Sequence, residues 1–239
     1  MRFLHCADLH IGSMHDVETG IKSLAFLVEK AIQSQVDAML IAGDLFDKTA
    51  PYPEAAHRAE EPLSRLSENG ISVYAVEGNH DCRPDESLQL LEERGLICIL
   101  RPAWDEAGKP MLQAGLAECC GVRIAGLGFL GNQTASKLRM FVDALPEDHA
   151  ATVCMLHTGV YAGQVPIGGI TVQDISYCAK KIQYIALGHR HGREEHGIAH
   201  NPGSPSGVRL NDPDADYGYY LADVGTGIAS IRFFSTRNR

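Results

Sequence analysis

The sequence lacks any apolar run that approaches the roughly 18 residues of a membrane span. Its 239 residues contain no internal repeat and no low-complexity tract. The N-terminal stretch "MRFLHCADLH" becomes polar too early for a secretory signal peptide. These absences predict no membrane contact, and we expect residues 1–239 to form a single domain.

The cysteines do not show the pattern of a disulfide-stabilised protein. The seven cysteines are an odd number, and they are scattered along the chain without the spacing of a disulfide framework. Disulfides persist mainly in oxidising compartments. The sequence therefore predicts a protein of the reducing cytoplasm.

Acidic residues outnumber basic residues. The chain has 21 Lys and Arg against 30 Asp and Glu, so its formal net charge is -9. Proteins that grip nucleic acid usually show a basic face, because the phosphate backbone supplies most of the affinity. The composition therefore argues against tight, sequence-independent binding to DNA.

Short apolar runs alternate with helical patterns, which favours an α/β fold. The runs that resemble strands span 2–7, 38–43, 71–78, 152–157, 182–189, 217–224 and 228–235, and the helical patterns span 17–35, 53–69 and 85–94. Pro62 should kink or split the second helix. "LICIL", "MLQAGLA" and "GVRIAGLGF" suggest antiparallel strands. The number of strands predicts two stacked sheets flanked by helices.

Several strand-like runs end in side chains that can bind metal ions. In open α/β sheets, ligands gather beyond the carboxyl ends of strands, so these side chains can converge. The residues are Asp8 and His10 in "CADLH", Asp44 and Asp47 in "GDLFD", Asn79, His80 and Asp81 in "GNHD", His157 in "LHTG", and His189 and His191 in "GHRH".

The spacing within these segments suits a shared ion. In Asp-x-His and His-x-His, an extended backbone sends residues i and i+2 to the same side. A glycine precedes Asp44, Asn79 and His189, where we expect sharp turns and close approach. Oxygen and nitrogen donors without thiolate favour manganese, iron(II) or zinc.

The ordered motifs resemble those of the calcineurin-like metallophosphoesterases. "FLHCADLHIGS", "IAGDLFD", "VEGNHD", "ALGHRH" and "HNPGSPSG" are most similar to the SbcD-type DNA-repair exonucleases. The resemblance implies a four-layer α/β/β/α sandwich with two divalent metal ions. It implies that one ion is held by Asp8, His10 and His191, that the other is held by Asn79, His157 and His189, and that Asp44 bridges them.

The same resemblance, joined to two-metal chemistry, predicts the catalytic groups. A hydroxide shared between the metals would attack the phosphorus. His80 would stabilise the transition state or protonate the leaving oxygen. Asp47 would hydrogen-bond to His80 and fix its tautomer. We also expect backbone amides around Gly203 and Ser204 to contact a phosphate, and His196 to be a surface residue.

Three functions remain open at this point. The first is a manganese-dependent DNA exonuclease or endonuclease, the second a phosphodiesterase of small nucleotides or nucleotide-linked metabolites, and the third a non-enzymatic scaffold. The filled ligand positions disfavour the scaffold. The resemblance further implies a homodimer through helices 53–69 and 85–94, and a coiled-coil ATPase partner of the SbcC type. Neither a DNA-capping domain nor an ATPase-binding segment is evident in the sequence.

Overall fold

The computed structural model describes residues 1–12, 16–47, 53–81, 86–148, 150–205, 216–225 and 228–236. Within these ranges the chain forms the α-helices α1 (Asp16–Gln33), α2 (Pro53–Glu68), α3 (Glu86–Glu93), α4 (Thr134–Ala144) and α5 (Val172–Cys178). The first three helices lie between the early strands, and the last two lie in the second half of the chain.

The described chain also contains sixteen strands. Their bounds are β1 (Arg2–Cys6), β2 (Ala38–Ala42), β3 (Ser72–Val76), β4 (Cys98–Ile99), β5 (Ala103–Trp104), β6 (Pro110–Met111), β7 (Leu116–Cys119), β8 (Val122–Leu127), β9 (Thr152–His157), β10 (Val160–Tyr161), β11 (Ile170–Thr171), β12 (Tyr184–Gly188), β13 (Glu194–His196), β14 (Ala199–Asn201), β15 (Gly218–Val224) and β16 (Ile228–Ser235).

The described strands form two six-stranded sheets and two small two-stranded pairs. The first large sheet has the order β16-β15-β1-β2-β3-β4, and the second has the order β13-β14-β12-β9-β8-β7. β1, β2 and β3 pair in parallel, as do β8, β9 and β12. The central strands β2, β9 and β12 are buried along their whole length, as expected for parallel strands covered on both faces.

Alternate residues of these strands enter different apolar clusters. Leu4, Met39 and Ile41 pack with α1, α2 and α3 on the outer face of the first sheet. Phe3 and Leu40 point the other way and meet residues of β8, β9 and β12 between the two sheets. A third cluster joins the outer face of the second sheet to α4 and α5. The molecule is therefore a four-layer α/β/β/α sandwich, which confirms the predicted fold class.

Two of the segments predicted as antiparallel strands differ from the structure. "MLQAGLA" (111–117) contains a 3-10 helix at Leu112–Gly115. The "LICIL" segment was expected to be antiparallel, but its strand β4 pairs in parallel with β3 at the edge of the first sheet. For Pro62 the prediction was a kink or a split of α2, and the split is not found, because the helix continues from Pro53 to Glu68. Leu63 and Leu66 beyond the proline are fully buried in the first apolar cluster. This packing offsets the loss of one backbone hydrogen bond at the proline.

Neither a membrane-spanning helix nor a disulfide occurs in the described residues. No helix within the described ranges is long and apolar enough to cross a membrane. The six described cysteines, Cys6, Cys98, Cys119, Cys120, Cys154 and Cys178, are free thiols.

Candidate metal centre

The motif residues all lie at one end of the two stacked sheets. Asp8 and His10 follow β1, Asp44 and Asp47 follow β2, Asn79 and His80 follow β3, His157 is the last residue of β9, and His189 and His191 follow β12. Because β1, β2 and β3 run in parallel, and β9 and β12 do likewise, their carboxyl ends share one edge. The two sheets together bring these side chains into one cluster.

Four of these residues have left-handed backbone conformations. The φ angles are 55° at Asp8, 47° at His10, 51° at Asp44 and 83° at His189. Such angles are uncommon outside glycine and carry strain that the surrounding structure must hold in place. Their concentration at the strand ends indicates that the chain turns there to aim side chains inward.

Glycine at two positions permits close approach. A Cβ added to Gly78 would lie 2.0 Å from Oδ1 of Asp44, and one added to Gly43 would lie 2.1 Å from Nδ1 of His157. Gly43 also has a φ of 90°, which side chains other than glycine rarely adopt. The glycines predicted to allow close approach therefore do so between neighbouring strand ends.

One group of donors comprises Asp8, His10 and His191. A ligand atom from each lies within 4.8 Å of the others, a spacing that could hold a metal ion. Nε2 of His10 lies 3.2 Å from Nε2 of His191 and 3.9 Å from Oδ1 of Asp8. The sequence separation between His10 and His191 shows that only the fold could bring them together.

A second group gathers around the side chain of Asn79. Its Oδ1 lies 3.1 Å from Nε2 of His157 and 2.8 Å from Nδ1 of His189. Asp44 connects the two groups, because its Oδ2 lies 3.2 Å from Nε2 of His157 and 3.7 Å from Nε2 of His10. The fold therefore brings together all seven residues that the sequence predicted as metal ligands.

Backbone groups fix the orientation of the buried donors. The amide of His189 donates to both carboxylate oxygens of Asp8, at 3.0 and 2.9 Å, and the amide of His80 donates to Oδ1 of Asp44 at 2.8 Å. Nδ1 of His157 donates to the carbonyl oxygen of Ala42 at 2.8 Å, which turns Nε2 toward the cluster. Partners of this kind set the tautomer and orientation of metal-binding side chains.

Asp47 contacts two histidines. Its Oδ1 accepts a hydrogen bond from Nδ1 of His10 at 3.0 Å and lies 3.2 Å from Nδ1 of His80, which also donates to the Asp47 backbone carbonyl. The sequence predicted the contact with His80 and missed the one with His10. The His80 side chain is 39% exposed, whereas that of His10 is 1% exposed, so His80 faces the solvent side of the cluster.

The pKa shifts of two buried residues, Asp44 and His157, favour their charged forms. Burial by itself would raise the pKa of Asp44, but the charge and hydrogen bond of His157 prevail and lower it to about 2. Burial would lower the pKa of His157, whereas Asp44 raises it to about 9. Asp44 and His157 therefore form a buried ion pair. Burial, together with the charge of His157, lowers the pKa of His189 to about 4, which leaves a neutral imidazole.

Burial disfavours the ionised forms of the two remaining buried carboxyl groups, Asp8 and Asp81. Burial raises the pKa of Asp8 well above its usual range; His157 opposes this shift, and Asp44 adds to it. Burial also raises the pKa of Asp81 to about 7, and Asp44 contributes. A cation among these groups would offset the cost of holding several carboxylates together. The buried set of carboxylate and amide oxygens and imidazole nitrogens therefore fits divalent metal ions.

Two residues hold the loops of the cluster: Asp81, which the sequence named among the possible metal-binding residues, and Asn201, which it did not assign. Asp81 accepts hydrogen bonds from the amides of Gly78 and, at 2.9 Å, Leu45, and so joins the ends of β2 and β3. Asn201 donates from Nδ2 to the carbonyl oxygen of Arg190 at 2.9 Å. Both residues lie within quoted motifs, but the loops that they join are distant in sequence.

The amides expected to contact a phosphate are already engaged. The amide of Gly203 donates to Oδ1 of Asn201 at 2.9 Å, and that of Ser204 donates to the carbonyl oxygen of His191 at 3.0 Å. The prediction was therefore wrong: the turn supports the loop that carries His191. Residues 206 and 207 of the quoted "HNPGSPSG" segment lie outside the described residues. His196 is half-buried in β13, with Nε2 3.5 Å from Glu194, and lies outside both donor groups.

A sequence model of calcineurin-like phosphoesterases matches residues 1–193. The chain belongs to this family. Family membership makes the chain a metal-dependent phosphoesterase, a hydrolase of ester bonds, and the family uses a centre of two metal ions. The fold agrees, because the structure of TT1561 of Thermus thermophilus superposes with a TM-score of 0.61 over 99% of both chains at 15% identity.

Curated relatives place the chain near DNA-repair proteins. It is 31% identical to the DNA double-strand break repair protein Mre11 of Methanopyrus kandleri, over 86% of this chain and 49% of that protein. It is 29% identical to the uncharacterized metallophosphoesterase YhaO of Bacillus subtilis, over 98% of this chain and 60% of that protein. The chain thus spans about half the length of the curated relatives it matches. For this domain alone, the similarity to Mre11 supports the DNA-repair branch of the family.

Proposed function

We propose that the chain is a two-metal phosphodiesterase that cleaves DNA, as an exonuclease or endonuclease of the SbcD-like repair type. The observation that carries this proposal is the pair of donor groups joined by Asp44, with His80 on the solvent side. The similarity to a protein named for DNA double-strand break repair supports DNA as the substrate class.

Two divalent cations would be held by the two donor groups. Asp8, His10 and His191 would hold one, Asn79, His157 and His189 would hold the other, and Asp44 would contact both. The oxygen and nitrogen donors favour manganese, although iron(II) and zinc also suit them. When bound, such a pair supplies Lewis acidity for the phosphoryl oxygens and an activated water.

His80 would donate a proton to the leaving oxygen of the substrate. Its imidazole is partly exposed, so a substrate held at the donor cluster can reach it. Nδ1 donates to the backbone carbonyl of Asp47, which directs Nε2 away from that residue. Asp47 would act as a positioning residue for both His80 and His10.

A small diester is the second candidate substrate class. The net charge of -9 favours it, because a protein that holds long DNA by its phosphates normally offers a basic surface. Nucleotide-linked metabolites present one phosphodiester to the metal centre and need no extended basic surface. The non-enzymatic scaffold has no comparable support, since every predicted ligand position is filled.

The proposal also covers the domain, its compartment and its partners. The continuous apolar clusters support residues 1–239 as one catalytic domain, and the free cysteines support a reducing cytoplasm. A homodimer through α2 and α3, and a coiled-coil ATPase partner, come only from the resemblance. In α2 the apolar residues Ala59, Leu63 and Leu66 are already buried against the rest of the chain.

A hydrolysis panel with manganese tests this proposal. The substrates are end-labelled single- and double-stranded DNA, bis-(p-nitrophenyl) phosphate, p-nitrophenyl phosphate and cyclic nucleotides, and Asp44→Ala is the control. DNA degradation that is lost in the control supports the nuclease. Cleavage of small diesters with intact DNA favours the second candidate, and no hydrolysis of any diester contradicts both.

A further inference from the structure

An aromatic side chain lies directly against the donor cluster. The ring of Phe129 stacks on the imidazole of His189, with centroids 5.9 Å apart and an angle of 29° between the planes. It also meets the ring of His157 edge-on, at 6.5 Å between centroids. The amide of Phe129 donates to the carbonyl oxygen of Glu77 at 2.9 Å, which fixes the start of this loop. Apolar surface therefore begins at the edge of the metal centre.

The loop between β10 and β11 continues this surface. Gly168 packs on Phe129, since a Cβ there would lie 2.4 Å from Cε2 of the ring. Oγ1 of Thr158 donates to the carbonyl oxygen of Gly168 at 2.6 Å, which ties the loop to the residue after His157. Ile167, next to Gly168, is 77% exposed, more than any other large apolar residue in the described ranges.

A cation and a second aromatic ring lie on the same side of the cluster. Arg190 follows His189, and its guanidinium carbon lies 5.8 Å from the centroid of the Tyr161 ring. The Arg190 side chain is 49% exposed and donates from Nε to Glu194 at 2.9 Å. Tyr161 is half-buried, and its ring packs against the backbone at Gly169. Tyr161, Ile167 and Arg190 are here called the rim.

The rim matches one part of a nucleic-acid substrate. A phosphodiester carries two organic groups, and with its phosphate at the donor cluster, a group that extends past His189 reaches Arg190 and Tyr161 of the rim. A nucleobase has flat apolar faces that stack on aromatic side chains, and guanidinium attracts the neighbouring phosphate. We propose that the rim is a subsite for a nucleobase of the substrate strand, an inference that rests on the proposed phosphodiesterase function.

A single exposed isoleucine would need no explanation by itself. Here the isoleucine belongs to a loop that is anchored at Thr158 and Gly168 and packed on a ring that touches His189. The rim is therefore continuous with the donor cluster, which favours a substrate group over an unrelated protein as its occupant.

Two diesters with the same leaving group test the subsite. They are the p-nitrophenyl ester of thymidine 5′-monophosphate and methyl p-nitrophenyl phosphate, and only the first carries a nucleobase. In the manganese-loaded protein, we expect Tyr161→Ala and Ile167→Ser each to raise KM for the thymidine ester about five- to tenfold. Neither substitution should change kcat/KM for the methyl ester. Met140→Ser, an exposed apolar position on α4, is the matched control.

A binding measurement keeps the subsite separable from catalysis. Ile167→Trp places an indole on the rim, and in EDTA a single-stranded oligothymidylate should quench its fluorescence, whereas an abasic oligonucleotide of equal length should not. The fluorescence of the native Trp104, measured in the wild-type protein, is subtracted from that of Ile167→Trp.

The outcomes separate the two proposals. Equal losses on both esters, or none on either, together with no base-dependent quenching, would overturn the subsite and leave the phosphodiesterase intact. If the wild-type protein hydrolyses neither ester, the proposed function fails, and quenching alone decides whether the rim binds a base.

Discussion

The carboxylate of Asp47 accepts a hydrogen bond from Nδ1 of His10 at 3.0 Å, so the ring nitrogen opposite, Nε2, faces His191, Asp44 and Asp8. This contact makes Asp47 part of the support of the metal centre as well as a partner of His80. Carboxylates behind metal-binding histidines fix the ring and raise its basicity. The relationship leads to the first prediction.

Asp47→Asn should weaken metal binding. An amide at this position no longer stabilises the Nδ1–H tautomer of His10 as strongly, and we expect the Kd for Mn²⁺ to rise roughly 10- to 100-fold. Isothermal titration of the metal-stripped protein measures this change. His57→Asn, an exposed histidine of α2, is the control. Unchanged affinity in Asp47→Asn would mean that Asp47 supports only His80.

His80→Asn should slow the reaction in a way that depends on the leaving group. Loss of a general acid costs roughly 100- to 10,000-fold in kcat when the leaving oxygen needs a proton. DNA needs one, whereas p-nitrophenolate leaves readily without it. We therefore expect a large loss on DNA and a small one on p-nitrophenyl diesters, with His57→Asn, an exposed histidine of α2, as control. Equal losses on both substrates would argue against proton donation by His80.

Gly78→Ala should disrupt the metal centre. The new Cβ would lie 2.0 Å from Oδ1 of Asp44 and 2.5 Å from its backbone nitrogen, so both the carboxylate and the backbone at Asp44 must move. Gly163→Ala is the matched control, since nothing lies within 4 Å of its added Cβ. The stabilisation of the protein by Mn²⁺, measured as the rise in Tm, should disappear in Gly78→Ala and persist in Gly163→Ala. A normal metal response in Gly78→Ala would mean that Asp44 is not a ligand.

His5 should make stability depend on pH. Nε2 of His5 donates to the carbonyl oxygen of Leu187 and Nδ1 accepts from the Tyr184 hydroxyl, while burial lowers its pKa from 6.5 to about 3. The unfolded chain therefore binds a proton below pH 6.5 that the folded chain does not, so stability falls as the pH drops toward about 3. Between about pH 6.5 and pH 5, this proton uptake lowers the free energy of unfolding by about 2 kcal/mol.

Urea unfolding in EDTA checks this prediction with His5→Gln. The substitution lowers stability at neutral pH, but the difference from the wild-type protein should narrow as the pH falls to 5. Buried carboxylates such as Asp8 contribute equally to the pH dependence of stability in both proteins. Their contribution therefore cancels in the difference between the two free energies of unfolding. A difference that stays constant with pH would contradict the role of His5.

The sequence predicted the fold and the convergence of the donor residues because both depend on local patterns. Fully buried β2, β9 and β12 appear as short apolar runs, and polar residues at their carboxyl ends must share one edge. The contact between Asp47 and His10, and the support of the Arg190 carbonyl by Asn201, join separate loops that local patterns do not relate. Pairing of the two-residue strand β4 likewise depended on tertiary packing.

The central claim is that two metal ions are held by two donor groups that share Asp44. Crystals soaked in Mn²⁺, with anomalous scattering recorded at the manganese edge, test it most directly. The account predicts two peaks, one among Asp8, His10 and His191 and the other among Asn79, His157 and His189, with Asp44 in contact with both. A single peak, or peaks that do not contact Asp44, would contradict it.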